Sequence, residues 1–193
     1  ETWFKLSTDA KEMVQEFLFG VGANNPDWFC VSMAGGRLHF LYKNGRGPYR
    51  KPGEFYASLS APIDGVLKDE WHHLAVTWEN LGKGKSVIQI YLDGKLKEKR
   101  ANVTIGHRFQ SDSVHIGYSG RQRNAFTGRL DEMRISDRAR SPSEIEDTFR
   151  KGIGGTPVER DDSTSLLLRF DATTASAGND TGGTDAERHP RQE

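Results

Sequence analysis

The side chains able to do chemistry are few in this sequence, and their spacing mostly keeps them from acting together. Asp131-Glu132 is a carboxylate pair, but neighbours on an extended strand point to opposite faces and cannot flank one bond. Glu159-Arg160-Asp161 starts an E-x-D-x-x-E pattern, which sets acid and nucleophile on one strand face at the spacing glycoside cleavage needs. Thr164 and Ser165 stand where the last Glu belongs, and the stretch is a Pro/Asp-rich connector. The adjacent His72-His73 diverge in the same way, and no nearby Cys or third His completes a zinc set. His72 shares the face of Leu74 and Val76 and reads as a hydrogen-bonded core or rim residue, while His39, His107 and His115 are scattered. Cys30 is alone, which excludes an intrachain disulfide and a Cys-based zinc site. Its neighbours Trp28-Phe29 and Val31 make it a small hydrophobe rather than a nucleophile. There is no G-x-S-x-G, no H-E-x-x-H and no phosphate-binding Gly loop. These residues do not describe an enzyme.

Recognition chemistry is better represented. Tyr42-Lys43-Asn44-Gly45-Arg46-Gly47-Pro48-Tyr49-Arg50 and Tyr118-Ser119-Gly120-Arg121-Gln122-Arg123-Asn124 combine aromatic faces with Arg and Asn donors. Such faces stack on sugar rings, the donors meet hydroxyls or carboxylates, and Gly permits close backbone approach. The candidate ligand-binding residues are therefore Tyr42, Asn44, Arg46, Tyr49, Tyr118, Arg121, Arg123 and Asn124. Trp28, near Asn24-Asn25-Pro26, is a weaker one. Lys95, Lys97, Lys99 and Arg100, with Lys83 and Lys85 nearby, suit either an acidic polymer or plain edge protection of an exposed hairpin. Asn102-Val103-Thr104 and Asn179-Asp180-Thr181 satisfy the glycosylation sequon, which matters only on a eukaryotic secretory route.

The elements that position these residues are short strands. Leu74, Val76 and Trp78 alternate with Ala75 and Thr77, and Ile88, Ile90 and Leu92 alternate with Gln89 and Tyr91. Asp93-Gly94 supplies the two positive φ angles of a type I′ turn into the polar strand Lys95–Lys99. Further strands are expected at 2–7, 13–21, 28–33, 38–42, 113–117, 126–135 and 165–171, with a Gly35-Gly36 hairpin turn. Strands with one apolar face each call for two antiparallel sheets packed face to face. Ser141-Pro142-Ser143-Glu144 is a capping box that opens one short peripheral helix near 141–151, anchored by Ile145 and Phe149. The 193 residues suit one domain, and 27 basic against 27 acidic residues leave no basic excess for nucleic acid. No apolar run is long enough to span a membrane, and no secretory signal pattern is present. The strand at Thr2 opens so abruptly that the sequence is expected to belong to something longer.

In order and spacing, Glu70–Trp78, Ile90–Leu96 and Phe126–Ser136, running on through Arg138-Ala139-Arg140-Ser141 into the capped helix, resemble the laminin G-like branch of the concanavalin A-like lectin/glucanase jelly rolls. The resemblance covers roughly residues 2–150. It implies an all-β, antiparallel two-sheet jelly-roll sandwich over residues 1–171, followed by a disordered tail at 172–193. Family members usually open on a strand resembling L-L-x-x-F-D. Here Leu166-Leu167-Leu168-Arg169-Phe170-Asp171 stands at the far end instead. Residues 163–171 thus either close this sandwich, burying Leu167 and hiding a sheet edge, or begin a further repeat; closure is the favoured expectation.

The resemblance also implies a non-catalytic binding module of a larger secreted or cell-envelope protein, recognising carbohydrate or a protein partner through loops at the sandwich ends. A structural spacer beside a catalytic domain and a divergent polysaccharide hydrolase or lyase are the alternatives. Some family members carry one calcium site built from Asp side chains and loop carbonyls, for which Asp131 and Asp171 are the candidate ligands here. Asp131 instead serves the fold if it accepts backbone N–H bonds beside a bulge.

Overall fold

Alternation of apolar and polar residues dominates this chain, and the described residues form twelve strands, with one helix opened by a capping box. In chain order they are β1 (Thr2–Lys5), β2 (Glu16–Val21), β3 (Trp28–Ala34), β4 (Arg37–Asn44), β5 (Phe55–Pro62), β6 (Trp71–Glu79), β7 (Ser86–Leu92), β8 (Lys95–Val103), β9 (Val114–Ile116), β10 (Arg129–Asp131), β11 (Met133–Ser136), α1 (Pro142–Ile153) and β12 (Thr164–Leu168). The computed structural model describes residues 1–21, 28–44, 55–79, 85–103, 105, 113–118 and 125–170, and of Lys43, Asn44, Phe55 and Tyr56 the backbone alone.

Two antiparallel sheets of five strands, β10-β1-β6-β7-β8 and β5-β4-β3-β2-β9, face each other, and β11 pairs with β12. Phe4, Leu74, Ile88, Ile90 and Leu92 from the first sheet meet Leu18, Phe29, Val31, Met33, Leu38 and Phe40 from the second in one core cluster. Asp93 and Gly94 turn β7 into β8 with φ of 52° and 72°, and Gly35 and Gly36 turn β3 into β4 with φ of 53° and 73°. These are the left-handed angles that two-residue hairpins require.

Three elements differ from the sequence expectation. β5 was not anticipated, because its inward residues Ala57, Leu59 and Ala61 present little apolar bulk between small polar ones. The expected strand at 126–135 is two strands. Glu132 adopts φ 47°, so β10 pairs with β1 while β11 turns away to pair with β12. The expected strand at 13–21 starts only at Glu16, residues 10–13 being folded against the β3–β4 turn by Gly35 N–H to Met13 C=O and Gly36 N–H to Ala10 C=O.

β12 runs antiparallel to β11, from Met133↔Leu168 to Ser136↔Thr164. Leu168 and Phe170 pack on the core, and Leu167, expected to be buried, is half-buried. The tail at 172–193 lies outside the described residues. α1 opens on the Ser141–Glu144 capping box and lies on the outer face of the first sheet, where Ile145 meets Ala75 and Tyr91. Phe149 stacks on Trp3 with ring centroids 5.9 Å apart.

Gly152 lets α1 come this close: a Cβ there would stand 2.1 Å from Cζ2 of Trp3. Gly152→Ala is therefore expected to lose about 1–3 kcal/mol of stability by overpacking, read as a lower urea midpoint at unchanged slope. Removal of residues 163–193 strips β12 from β11 and should lower the melting temperature by on the order of 10 °C; an unchanged melt would show that β12 contributes nothing here.

Candidate functional site

Acid, imidazole and guanidinium groups do converge in this molecule, at the start of β1. The Glu1 side chain is only 4% exposed. Its Oε1 accepts from Arg134 Nε at 2.6 Å and from Arg134 Nη2, Arg140 Nε stands 3.7 Å away, and its Oε2 lies 3.4 Å from His73 Nε2. Arg134 continues to Glu159 C=O and Thr148 Oγ1, each at 3.0 Å. Arg140 holds Ser136 Oγ at 2.9 Å and Asp161 at 2.8 Å. Asp161 also accepts from the Ser163 and Thr164 hydroxyls at 2.8 Å each.

The electrostatics identify this as a clamp. Burial pushes the Glu1 carboxyl upward, but His73, the chain's own ammonium and Arg134 outweigh it and hold it well below the usual carboxylate range. Hydrogen bonds from Ser163, Thr164 and Arg140 do the same for Asp161. A carboxylate so stabilised is a poor base and a poor acid, because proton transfer works best near the operating pH. The cluster joins β1, β6, β11, α1 and the segment before β12, while Glu1 Oε2 and both His73 ring nitrogens are buried without a hydrogen-bond partner.

The remaining titratable candidates serve the fold as well. His72 Nδ1 meets Asp93 Oδ2 at 2.9 Å, and Asp93 Oδ1 accepts the His73 N–H at 2.9 Å, tying β6 to the β7–β8 turn. Buried Asp131 accepts the N–H of Glu132 at 2.8 Å and of Phe170 at 3.4 Å on one oxygen, Oδ1. Ca²⁺ takes six to eight oxygens, and no group of three or more His, Cys, Asp or Glu side chains gathers for a metal among the described residues. Asp171 lies outside them. Burial raises the Cys30 thiol to about 12, consistent with a core residue.

The candidate ligand residues fall in different places. Tyr42 is corrected from ligand candidate to core residue: it is 1% exposed, on the inward face of β4 with Leu38 and Phe40. Asn44 pairs with Phe55 through its backbone at the end of β4. Arg46, Tyr49, Arg121, Arg123 and Asn124 lie outside the described residues. Tyr118 does stand at the surface, 44% exposed, with its ring edge-on to His115 at 4.9 Å and an interplanar angle of 82°. Gly117 fixes this rim, donating to Leu18 C=O at 2.9 Å and accepting from Phe126 N–H at 2.7 Å.

A cleft of about 590 Å³ opens between the sheets, lined by Leu18, Phe29 and Val31 on one side and by Val76, Trp78 and Ile135 on the other. Trp78 forms its wall, 5.0 Å from Phe29 and 5.6 Å from Phe40 between ring centroids. Neither the cleft nor the Glu1 clamp was foreseen. Each is assembled from segments far apart in the chain, and no local spacing announces it.

A family model described as the concanavalin A-like lectin/glucanases superfamily, of laminin G type, matches residues 1–146. The rat sushi, von Willebrand factor type A, EGF and pentraxin domain-containing protein 1 is 21% identical over 152 residues, 75% of this chain. The chain spans only 4% of that relative's length. Among solved structures, the receptor binding domain of botulinum neurotoxin mosaic serotype C/D aligns with a TM-score of 0.53 at 13% identity, over 79% of this chain and 35% of its own. That of botulinum neurotoxin type G aligns with a TM-score of 0.50 at 13% identity, over 77% and 36%. At such identities the likeness is one of fold.

The clamp yields a pH prediction. The folded Glu1 carboxyl titrates below its usual value of 4.5, so its contribution is complete above about pH 5 and drains as the pH falls toward the depressed value. Glu1→Gln should lower stability at pH 7 by roughly 3 kcal/mol, through buried guanidinia left short of a counter-charge. It should also flatten the loss of stability between pH 5 and 2, read by urea titrations across that range.

Proposed function

We propose that this chain, which belongs to the concanavalin A-like lectin/glucanases superfamily, is a non-catalytic carbohydrate-binding module of a larger secreted or cell-envelope protein. The observation that carries this reading is the rim at β9. There Tyr118 presents a ring to solvent that His115 braces edge-on, next to a sequence segment rich in Arg, Gln and Asn. A braced aromatic face loses little side-chain freedom when a sugar ring covers it, and nearby amide and guanidinium donors fix the hydroxyls.

Two further observations support binding rather than turnover. The Glu1 carboxyl, where acid and imidazole converge, is held well below the usual carboxylate range. Solved domains of the same fold are described as receptor binding domains. A place in a larger secreted protein accords with the small share of the rat multidomain relative that this chain matches. It also accords with the absence, among the described residues, of a helix long and apolar enough to cross a membrane. One exposed ring and a few donors give modest affinity, so neighbouring modules of the same polypeptide would raise retention through avidity. Structural calcium has no role in this reading, nor does a spacer function.

A glycan and glycosaminoglycan array tests it with three proteins. The parent should bind selectively, Tyr118→Ala should weaken that binding at least about tenfold, equivalent to ~1.4 kcal/mol, and Tyr118→Phe should retain most of it. All three should melt together, because Tyr118 is a surface residue. An array silent for the parent, or binding indifferent to Tyr118→Ala, would remove the proposal and move attention to a protein partner.

A further inference from the structure

β9 pairs with β2 from Val21↔Val114 to Phe19↔Ile116. Gly117 then leaves the ladder with φ 74°. Tyr118 therefore stands beyond the last paired residue, and its orientation must come from elsewhere. Gly117 N–H donates to Leu18 C=O at 2.9 Å, and Gly117 C=O accepts from Phe126 N–H at 2.7 Å. That carbonyl belongs to the same planar peptide as the Tyr118 nitrogen. Whatever fixes Phe126 thus fixes the backbone from which the Tyr118 ring projects.

Phe126 is held by the residues on either side of it. Ala125 bridges to Phe17 on β2, and Phe126 itself packs on the core. Thr127 delivers two donors to one carboxylate. Its N–H reaches Glu16 Oε2 at 2.8 Å, and its hydroxyl reaches Oε1 at 2.8 Å and Oε2 at 2.9 Å. Glu16 opens β2 and pairs with Met33 on β3, so this clasp ties the rim to the second sheet. Hydrogen bonds to a carboxylate are shorter and stronger than neutral ones, and paired donors add geometric specificity. These lie at the surface, where water competes for them and their contribution to global stability is small. Such a clasp supplies placement more than stability.

We propose that Glu16 is the positioning residue of the β9 rim. By holding Thr127 it fixes Phe126, and through the Gly117–Tyr118 peptide it keeps the Tyr118 ring against His115. The consequence for binding rests on the carbohydrate reading of Tyr118, whereas the consequence for the ring does not. A sugar that stacks on Tyr118 gains from a ring already in place, because little ordering remains to be done on binding.

The full chain is compared with Glu16→Ala, Thr127→Val and Thr127→Ser by three readouts: the nuclear Overhauser effect between the His115 and Tyr118 rings, melting, and the same glycan and glycosaminoglycan array. Glu16→Ala should weaken the ring contact at least about threefold and array binding about tenfold, while melting shifts by no more than about 3 °C. Thr127→Val keeps the N–H and loses the hydroxyl, so it should show a smaller loss of both, and Thr127→Ser should keep the parental values. An unchanged His115–Tyr118 contact in Glu16→Ala would overturn the inference. So would array binding that needs Tyr118 yet is indifferent to Glu16→Ala. A larger fall in melting with loss of the Phe29–Trp78 ring contact would also overturn it, by making Glu16 a residue of the fold at large. Array binding indifferent to Tyr118→Ala, with the ring contact still lost in Glu16→Ala, would remove the carbohydrate reading alone and support Glu16 as the residue that sets the ring.

Discussion

The seating of β1 is the constraint on which the first sheet depends. Four residues, Thr2–Lys5, pair with β6, and three of them, Trp3–Lys5, pair with β10 on the other side as well. Phe4 points into the core with no exposed surface, and Trp3 points out under α1, stacking on Phe149. A strand this short gains little from its own ladder. It is held by two buried aromatic side chains, each contributing roughly 1.5–3 kcal/mol by burial, and by the ionic clamp at Glu1. The clamp fixes β11, α1 and the approach to β12 relative to β6, so the helix and the closing strand take their places from the same few atoms.

Charge placement follows from this arrangement. Burying a carboxylate, an imidazole and two guanidinium groups is expensive unless each is satisfied by the others. Here Arg134 and Arg140 spread their donors over Glu1, Thr148, Ser136 and Asp161. The result resembles an active site in composition, and its Glu1, Arg134 and Arg140 also border the cleft between the sheets. The exposed Tyr118 ring stands instead at the β9 rim, where a side chain can change without disturbing the core.

The parts of this fold that were legible in the sequence were those encoded locally. Alternation gave β6 and β7, Asp93-Gly94 gave the turn between β7 and β8, and Ser141-Pro142-Ser143-Glu144 gave the start of α1. β5 escaped notice because Ala57 and Ala61 mark an inward face by size rather than by hydrophobicity. The break at Glu132 escaped because a single left-handed residue, not a glycine, separates β10 from β11. Tyr42 was read as a ligand residue although it continues the inward alternation of Leu38 and Phe40 on β4. The clamp draws on Glu1, His73, Arg134, Arg140 and Asp161, whose separations in sequence hide their meeting in space. Of the candidate site, the sequence showed the aromatic-and-arginine composition and could not show that Tyr118, not Tyr42, is the ring at the surface.

The central claim is that this sandwich binds and does not cleave. It is tested most directly by incubating the unaltered chain with immobilised polysaccharides, while retention on the matrix and release of reducing or unsaturated ends are followed in the same vessel. The account predicts selective retention with no new ends above the protein-free control. Ends that accumulate in proportion to protein and time would contradict it.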